Sequence, residues 1–120
     1  MNKKEKSFKK IRALQQIAYT DRNKRNCARY WKGVSYEHWR VMSDIVWKLA
    51  NQGYEVFTEC TVKGNRMDMV AISSSGDLFC IEILKSEPEA RYEQKLNDYD
   101  INFQMVKVRT KNFKIEDWEL

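Results

Sequence analysis

The sequence predicts an α/β fold: a mixed four-stranded sheet flanked by helices, with a basic helical extension over residues 1–34 ahead of a core over residues 35–120. Two observations predict the core. One amphipathic segment bounded by helix start and stop signals leads into three short runs rich in β-branched and aromatic residues, and a second helical segment separates the third run from a fourth. The extension is predicted by charge. Residues 1–32 hold eleven basic and two acidic side chains, so the net +5 of the 120-residue chain divides into +9 there and −4 over the rest.

Within the extension, Phe8, Ile11, Leu14, Ile17 and Ala18 recur at a spacing that suits one helical stripe, with Lys4, Lys9, Lys10 and Arg12 around it. Asp21 to Lys32 has no clear periodicity; a loop, a short helix or an arm ordered on a ligand all fit it. Ser35 is placed as an N-cap, and Glu37 suits the positive end of the helix that follows. Trp39, Met42, Val46, Leu49 and Ala50 form its apolar face, and Gly53 supplies the stop. Trp39 and Trp47 read as core or edge packing, and Asp44 as an i, i+4 partner of Lys48.

Strands are predicted over Tyr54–Val62, Arg66–Ser73 and Leu78–Leu84, joined by Lys63-Gly64-Asn65 and by Ser73 to Asp77 as an antiparallel meander. Ser86-Glu87-Pro88-Glu89 is a capping box opening a helix to about Tyr99. Ile101–Arg109 is the fourth strand, parallel to the third by crossover, and Phe113, Ile115 and Trp118 dock a last helical turn.

The longest apolar runs are a few residues, far short of the roughly 20 that cross a bilayer, and the Lys-rich start has no signal-peptide h-region. A cytoplasmic protein is the expectation. Cys27, Cys60 and Cys80 are an odd number at wide spacing, which supports neither a disulfide framework nor a structural zinc site and leaves buried or inert thiols.

Two carboxylates stand out. Glu82 lies in the most apolar strand, where an ionised group needs donors or a cation, and a shared divalent metal is one such compensation. Alternation puts Asp68 on a face with Arg66, Val70 and Ile72, and hairpin pairing sets it across from Glu82. His38, the sole histidine, reads as a surface or packing residue.

Those residues carry a resemblance. The helix Asp44 to Gly53, the segment Gly64-Asn65-Arg66-Met67-Asp68 and the strand Ile81-Glu82-Ile83-Leu84-Lys85 together resemble the PD-(D/E)XK nucleases, and among them the archaeal Holliday-junction resolvases, over residues 35 to about 109. The resemblance implies a restriction-endonuclease-like core and hydrolysis of DNA phosphodiesters, branched or structured DNA included. It implies Mg²⁺ or Mn²⁺ held by Asp68 and Glu82 with Asp44 or Glu59 in support, and a homodimer. Leu84 stands where the motif lysine belongs, so Lys85 or Lys95 would serve the water, with Lys63 a further candidate. A degenerate nucleic-acid-binding or assembly protein on the same fold is the alternative.

The basic extension has the footprint of a phosphate-binding surface, with Lys9, Lys10, Arg12, Arg22, Lys24, Arg25, Arg29, Trp31 and Lys32 as its contacts. DNA is the expected partner, with RNA open and a membrane surface excluded by the scarcity of bulky apolar residues on the basic helix.

Overall fold

A computed structural model describes residues 1–85 and 104–120. The helix expected after Ser86, Lys95 within it, and the first three residues of the expected fourth strand lie outside the described residues. The elements run α1 (Lys3–Gln15), a 3₁₀ turn (Tyr19–Asp21), α2 (Tyr36–Asn51), β1 (Glu55–Val62), β2 (Asn65–Ile72), β3 (Leu78–Leu84), β4 (Gln104–Arg109) and a second 3₁₀ turn (Ile115–Asp117). The sheet order is β1-β2-β3-β4, antiparallel in the first two pairs and parallel in the third. This is the expected mixed α/β sheet. Among the described residues no helix is long and apolar enough to cross a membrane.

Local chemistry sets the ends of α2. The Ser35 hydroxyl accepts from the His38 amide at 3.1 Å, as an N-cap should. At the other end the Gly53 amide donates to Ala50 and the Tyr54 amide to Leu49, the paired bonds of a Schellman stop. Between these caps Val41, Met42, Ile45, Val46 and Leu49 are buried and pack on Val56, Met69, Ala71, Ile81, Ile83 and Val108 of the sheet. Trp47, expected in the packing, is 65% exposed. Lys48 pairs with Glu119 and donates to the carbonyls of Ile115 and Trp118, which fastens the C-terminal turn to α2. Asp44 is therefore paired with Arg40, not with Lys48.

The other face of the sheet carries Phe57, Cys60, Val62, Met67, Val70, Ile72 and Cys80 and is covered by Ala13, Leu14 and Ile17. Here the structure corrects the predicted stripe. The helix starts at Lys3 rather than near Phe8 and stops at Gln15, and Phe8 and Ile11 are 55% and 51% exposed. Ile17 is buried, but it is delivered by an extended segment that bridges Val62. Cys60 and Cys80 lie in this core, where burial pushes both thiols up to about 12, while Cys27 is exposed.

Residues 16–29 run along the open edge of β1. Ala18 donates to the Thr61 carbonyl, Lys63 to Gln16, Asn26 to Val56, and Val56 in return to the Asn26 side chain. Thr58 accepts from the Arg29 amide and donates to the Cys27 carbonyl. Ion pairs add Lys9 to Asp77, Lys10 and Arg25 to Glu55, and Arg29 to Asp21.

Helix α1 also presses on the β2–β3 turn. A Cβ on Gly76, at φ +88°, would lie 2.6 Å from backbone atoms of both Lys9 and Lys10, whereas one on Gly64, at φ +80° in the β1–β2 turn, would meet nothing. Gly64→Ala is therefore expected to lose about 1 kcal/mol for its left-handed backbone alone. Gly76→Ala should lose about 2–4 kcal/mol, because α1 must also move. Urea denaturation of the two variants checks this, and equal losses would show that α1 does not press on the turn.

Candidate metal centre

Two carboxylates face each other across the β1–β2 ladder, but they are Glu59 and Asp68. The turn Lys63-Gly64 has positive φ at both positions, the signature of a two-residue type I′ hairpin, so residues 62 and 65 pair and 59 stands opposite 68. At that step the ladder opens: the register runs from Thr58↔Met69 directly to Cys60↔Met67. Glu59 adopts φ +48°, left-handed backbone that costs a non-glycine residue roughly 1–2 kcal/mol.

The irregularity switches faces in both strands. Val56 packs under α2 and Phe57 under α1, yet Cys60 joins Phe57; Met69 packs under α2, yet Met67 lies in the α1 cluster. Simple alternation, which grouped Asp68 with Val70 and Ile72, therefore fails at this position.

The pairing of β2 with β3 ends at Met69↔Ile81. One step further, Asp68 Oδ2 accepts from the Ile83 amide at 2.8 Å, so a side chain takes over from the ladder and holds the two strands together at their diverging end.

The third member comes from α2. His38, in its first turn, points at the carboxylates, and one donor atom from each of His38, Glu59 and Asp68 lies within 4.8 Å of the others. Among the described residues, His38 Nε2 and Glu59 Oε1 are both buried without a hydrogen-bond partner and sit 3.9 Å apart, too far for a hydrogen bond to each other. Two orphaned polar atoms aimed at one gap, with a carboxylate beside them, fit a bound cation. One imidazole and two carboxylates suit Mn²⁺ better than Mg²⁺, since imidazole is a ligand of the later transition metals and a poor one for magnesium.

The surroundings are cationic. Arg66 lies 3.7 Å from Glu59 Oε2, and Arg29 donates to the Glu59 carbonyl at 2.9 Å while pairing with Asp21 at 3.3 Å. Burial, and then the neighbouring Asp68 carboxylate, push the Glu59 carboxyl up to about 7, against the opposing pull of Arg66 and Arg29. Lys24, Arg29, Tyr30, Trp31, Glu59 and Arg66 line an open cleft of about 540 Å³ beside the cluster. Trp31 meets the His38 ring nearly at right angles, centroids 5.6 Å apart.

The predicted site residues separate. Asp68 and Glu59 enter the cluster, as does His38, expected as a surface or packing residue. Glu82 does not: it is 3% exposed in mid-strand and follows the alternation of Cys80, on the α1 side, while its neighbours Ile81 and Ile83 face α2. Asp44 is held by Arg40 and is not in the cluster. Leu84 is buried, and Lys85, more than half exposed, pairs with Glu37 at 3.4 Å. That contact lowers the Glu37 carboxyl, after the backbone hydrogen bond it receives.

Of the basic contacts, Lys24, Arg29 and Trp31 line the cleft. Lys9, Lys10 and Arg25 are engaged by Asp77 and Glu55, and Arg22 donates to the carbonyls of Ile17 and Gln15. Arg12 lines a separate shallow depression beside Gly76, and Lys32 is exposed. One signal for His38 was present in the sequence: it sits at the N-cap+3 position of the helix that precedes the Glu59–Asp68 hairpin.

Comparison with protein-family models, curated proteins and solved structures gives no match to this chain.

A carboxyl raised above its unfolded value binds its proton more tightly in the folded state, so its contribution to stability is present at low pH and is lost as pH rises through about 7. The metal-free protein should therefore melt at progressively lower temperature from about pH 5 to about pH 8. Glu59→Gln should flatten this slope. Mn²⁺ should raise the melting temperature more at the upper end of the range, where Glu59 has lost its proton. Thermal denaturation with and without the ion checks both; a slope unchanged in Glu59→Gln would exclude Glu59 as its source.

Proposed function

We propose that the protein is a metal-dependent nuclease that hydrolyses phosphodiester bonds, with His38, Glu59 and Asp68 as its metal ligands. One observation carries the reading: the orphaned atoms of His38 and Glu59 meet Asp68 at the edge of a cleft lined with arginine, lysine and aromatic side chains. The order helix, three-strand meander, parallel fourth strand supports a restriction-endonuclease-like core. Within that proposal, His38 and Glu59 take the place that the family pattern gives to Glu82.

A bound Mn²⁺ or Mg²⁺ would polarise the phosphoryl group and lower the pKa of an attacking water. The chain supplies the remainder. Asp68 is held by the Ile83 amide, so one carboxylate oxygen is oriented before any ligand arrives. Arg66 stands beside Glu59, where a guanidinium can take a phosphate oxygen by paired hydrogen bonds and offset the charge that develops during hydrolysis. Lys85, held at Glu37, and Lys95 remain the candidates for the motif lysine.

The non-catalytic reading, a nucleic-acid-binding protein on the same fold, draws on one observation: Lys85, next in sequence to the motif position, is more than half exposed and paired with Glu37.

Cleavage of plasmid, linear, single-stranded and four-way-junction DNA in Mn²⁺ or Mg²⁺ separates the two. His38→Ala, Glu59→Gln and Asp68→Asn are each expected to lower the rate at least about a hundredfold, the loss typical of removing a group that stabilises the transition state directly or through a metal. Asp44→Asn should leave it within about twofold, since surface substitutions remote from a site do little. Intact binding without cutting of any substrate would establish the non-catalytic reading.

A further inference from the structure

The cleft beside the cluster has two unlike walls. Lys24 and Arg66 provide cations, and the Arg66 side chain is 59% exposed despite its contact with Glu59. Tyr30 and Trp31, adjacent in irregular backbone, provide aromatic rings that are 75% and 36% exposed. Side by side at the cleft they form one aromatic surface on which a flat ring can stack. The near-perpendicular contact with His38 engages at most one face of the indole and fixes its orientation. A volume of about 540 Å³ falls in the roughly 300–1,000 Å³ range of clefts that hold one small molecule the size of a nucleotide.

We infer that the cleft takes an unstacked nucleotide of a single-stranded nucleic acid, its base against Trp31 and Tyr30 and its phosphate between Lys24 and Arg66. In a duplex the base faces are already stacked on one another and cannot reach an aromatic wall, whereas in a single strand every base has a free face. Trp31 touches both the cleft and His38, so the stacked base would set the phosphodiester beside the metal ligands. The inference rests on the nuclease reading for the chemistry but stands apart from it for binding.

The experiment measures binding by fluorescence anisotropy in chelator, which stops hydrolysis. The probes are a labelled single strand of about twenty nucleotides, the same sequence as duplex, and free mononucleotide as competitor. The single strand should bind at least about tenfold more tightly than the duplex. Trp31→Ala should weaken single-strand binding roughly fivefold to a hundredfold, the range for loss of one stacked base, with duplex binding unchanged. Trp31→Phe should restore most of the loss, which a merely structural role for the indole would not produce. Equal affinity for both forms, or an equal loss for both in Trp31→Ala, would overturn the inference, as would competition by mononucleotide at the concentration of the strand itself. Single-strand preference in a wild-type protein that cuts nothing would leave the cleft standing and remove the nuclease. Cutting without strand preference would do the reverse.

Discussion

A strand at the end of a sheet leaves a row of amides and carbonyls without partners, and here the open edge of β1 is satisfied by the chain's own residues 16–29. Arg29 closes that arrangement: its backbone amide binds Thr58, one guanidinium nitrogen binds the Glu59 carbonyl, and another binds Asp21. Asp21 in turn accepts from the Thr61 amide at 3.1 Å. One carboxylate and one guanidinium thus bracket Glu59 on both sides. The same bonds bring Tyr30 and Trp31 alongside the opened step of the ladder, so the cleft and the metal ligands are products of one edge closure.

This alters the meaning of the charge distribution. Eleven cations at one end of the sequence and a slightly acidic remainder suggested an arm that reaches for a polyanion. Four of those cations, Lys9, Lys10, Arg25 and Arg29, are instead paired within the molecule, with Asp77, Glu55 and Asp21. Exposed ion pairs are worth little each. Their role is to choose which surface the basic segment lies on, after hydrogen bonds to the β1 edge and burial of Ala13 and Ile17 supply the free energy. Of the others, Lys24 stands at the cleft, where Arg66 of β2 joins it.

Regular structure was legible because its signals are local. Ser35, Gly53 and the Lys63-Gly64 turn act through hydrogen bonds a few residues away, and the antiparallel order of the first three strands followed from the positions of the turns. The register placing Glu59 opposite Asp68 was equally available, by counting back from the turn. Hidden was the departure from alternation at that step, because the left-handed backbone at Glu59 has no local sequence signal and its carbonyl is bound from outside the strand, by Arg29. Parity therefore assigned Asp68 to the wrong face and favoured Glu82 as its partner. The stripe on α1 failed for a related reason: Phe8 and Ile11 have the right spacing, but the helix meets the sheet only near its C-terminal end.

Strain at Glu59 is then the informative residue-level fact. A glutamate is a poor occupant of left-handed backbone, where glycine or asparagine would be cheaper, and its carboxyl is also held in partial burial beside another acid. Both penalties fall on one residue in the middle of a strand that could have paired regularly. A glycine would relieve the first but remove the oxygen facing His38 Nε2, and a glutamine would relieve the second but leave only a neutral amide there in place of the carboxylate. Backbone strain of this kind survives where neighbouring contacts over-determine it, and it concentrates where side-chain direction matters more than stability. The opened ladder turns Glu59 and Asp68 together under the first turn of α2, an arrangement that a regular β1–β2 pair could not produce.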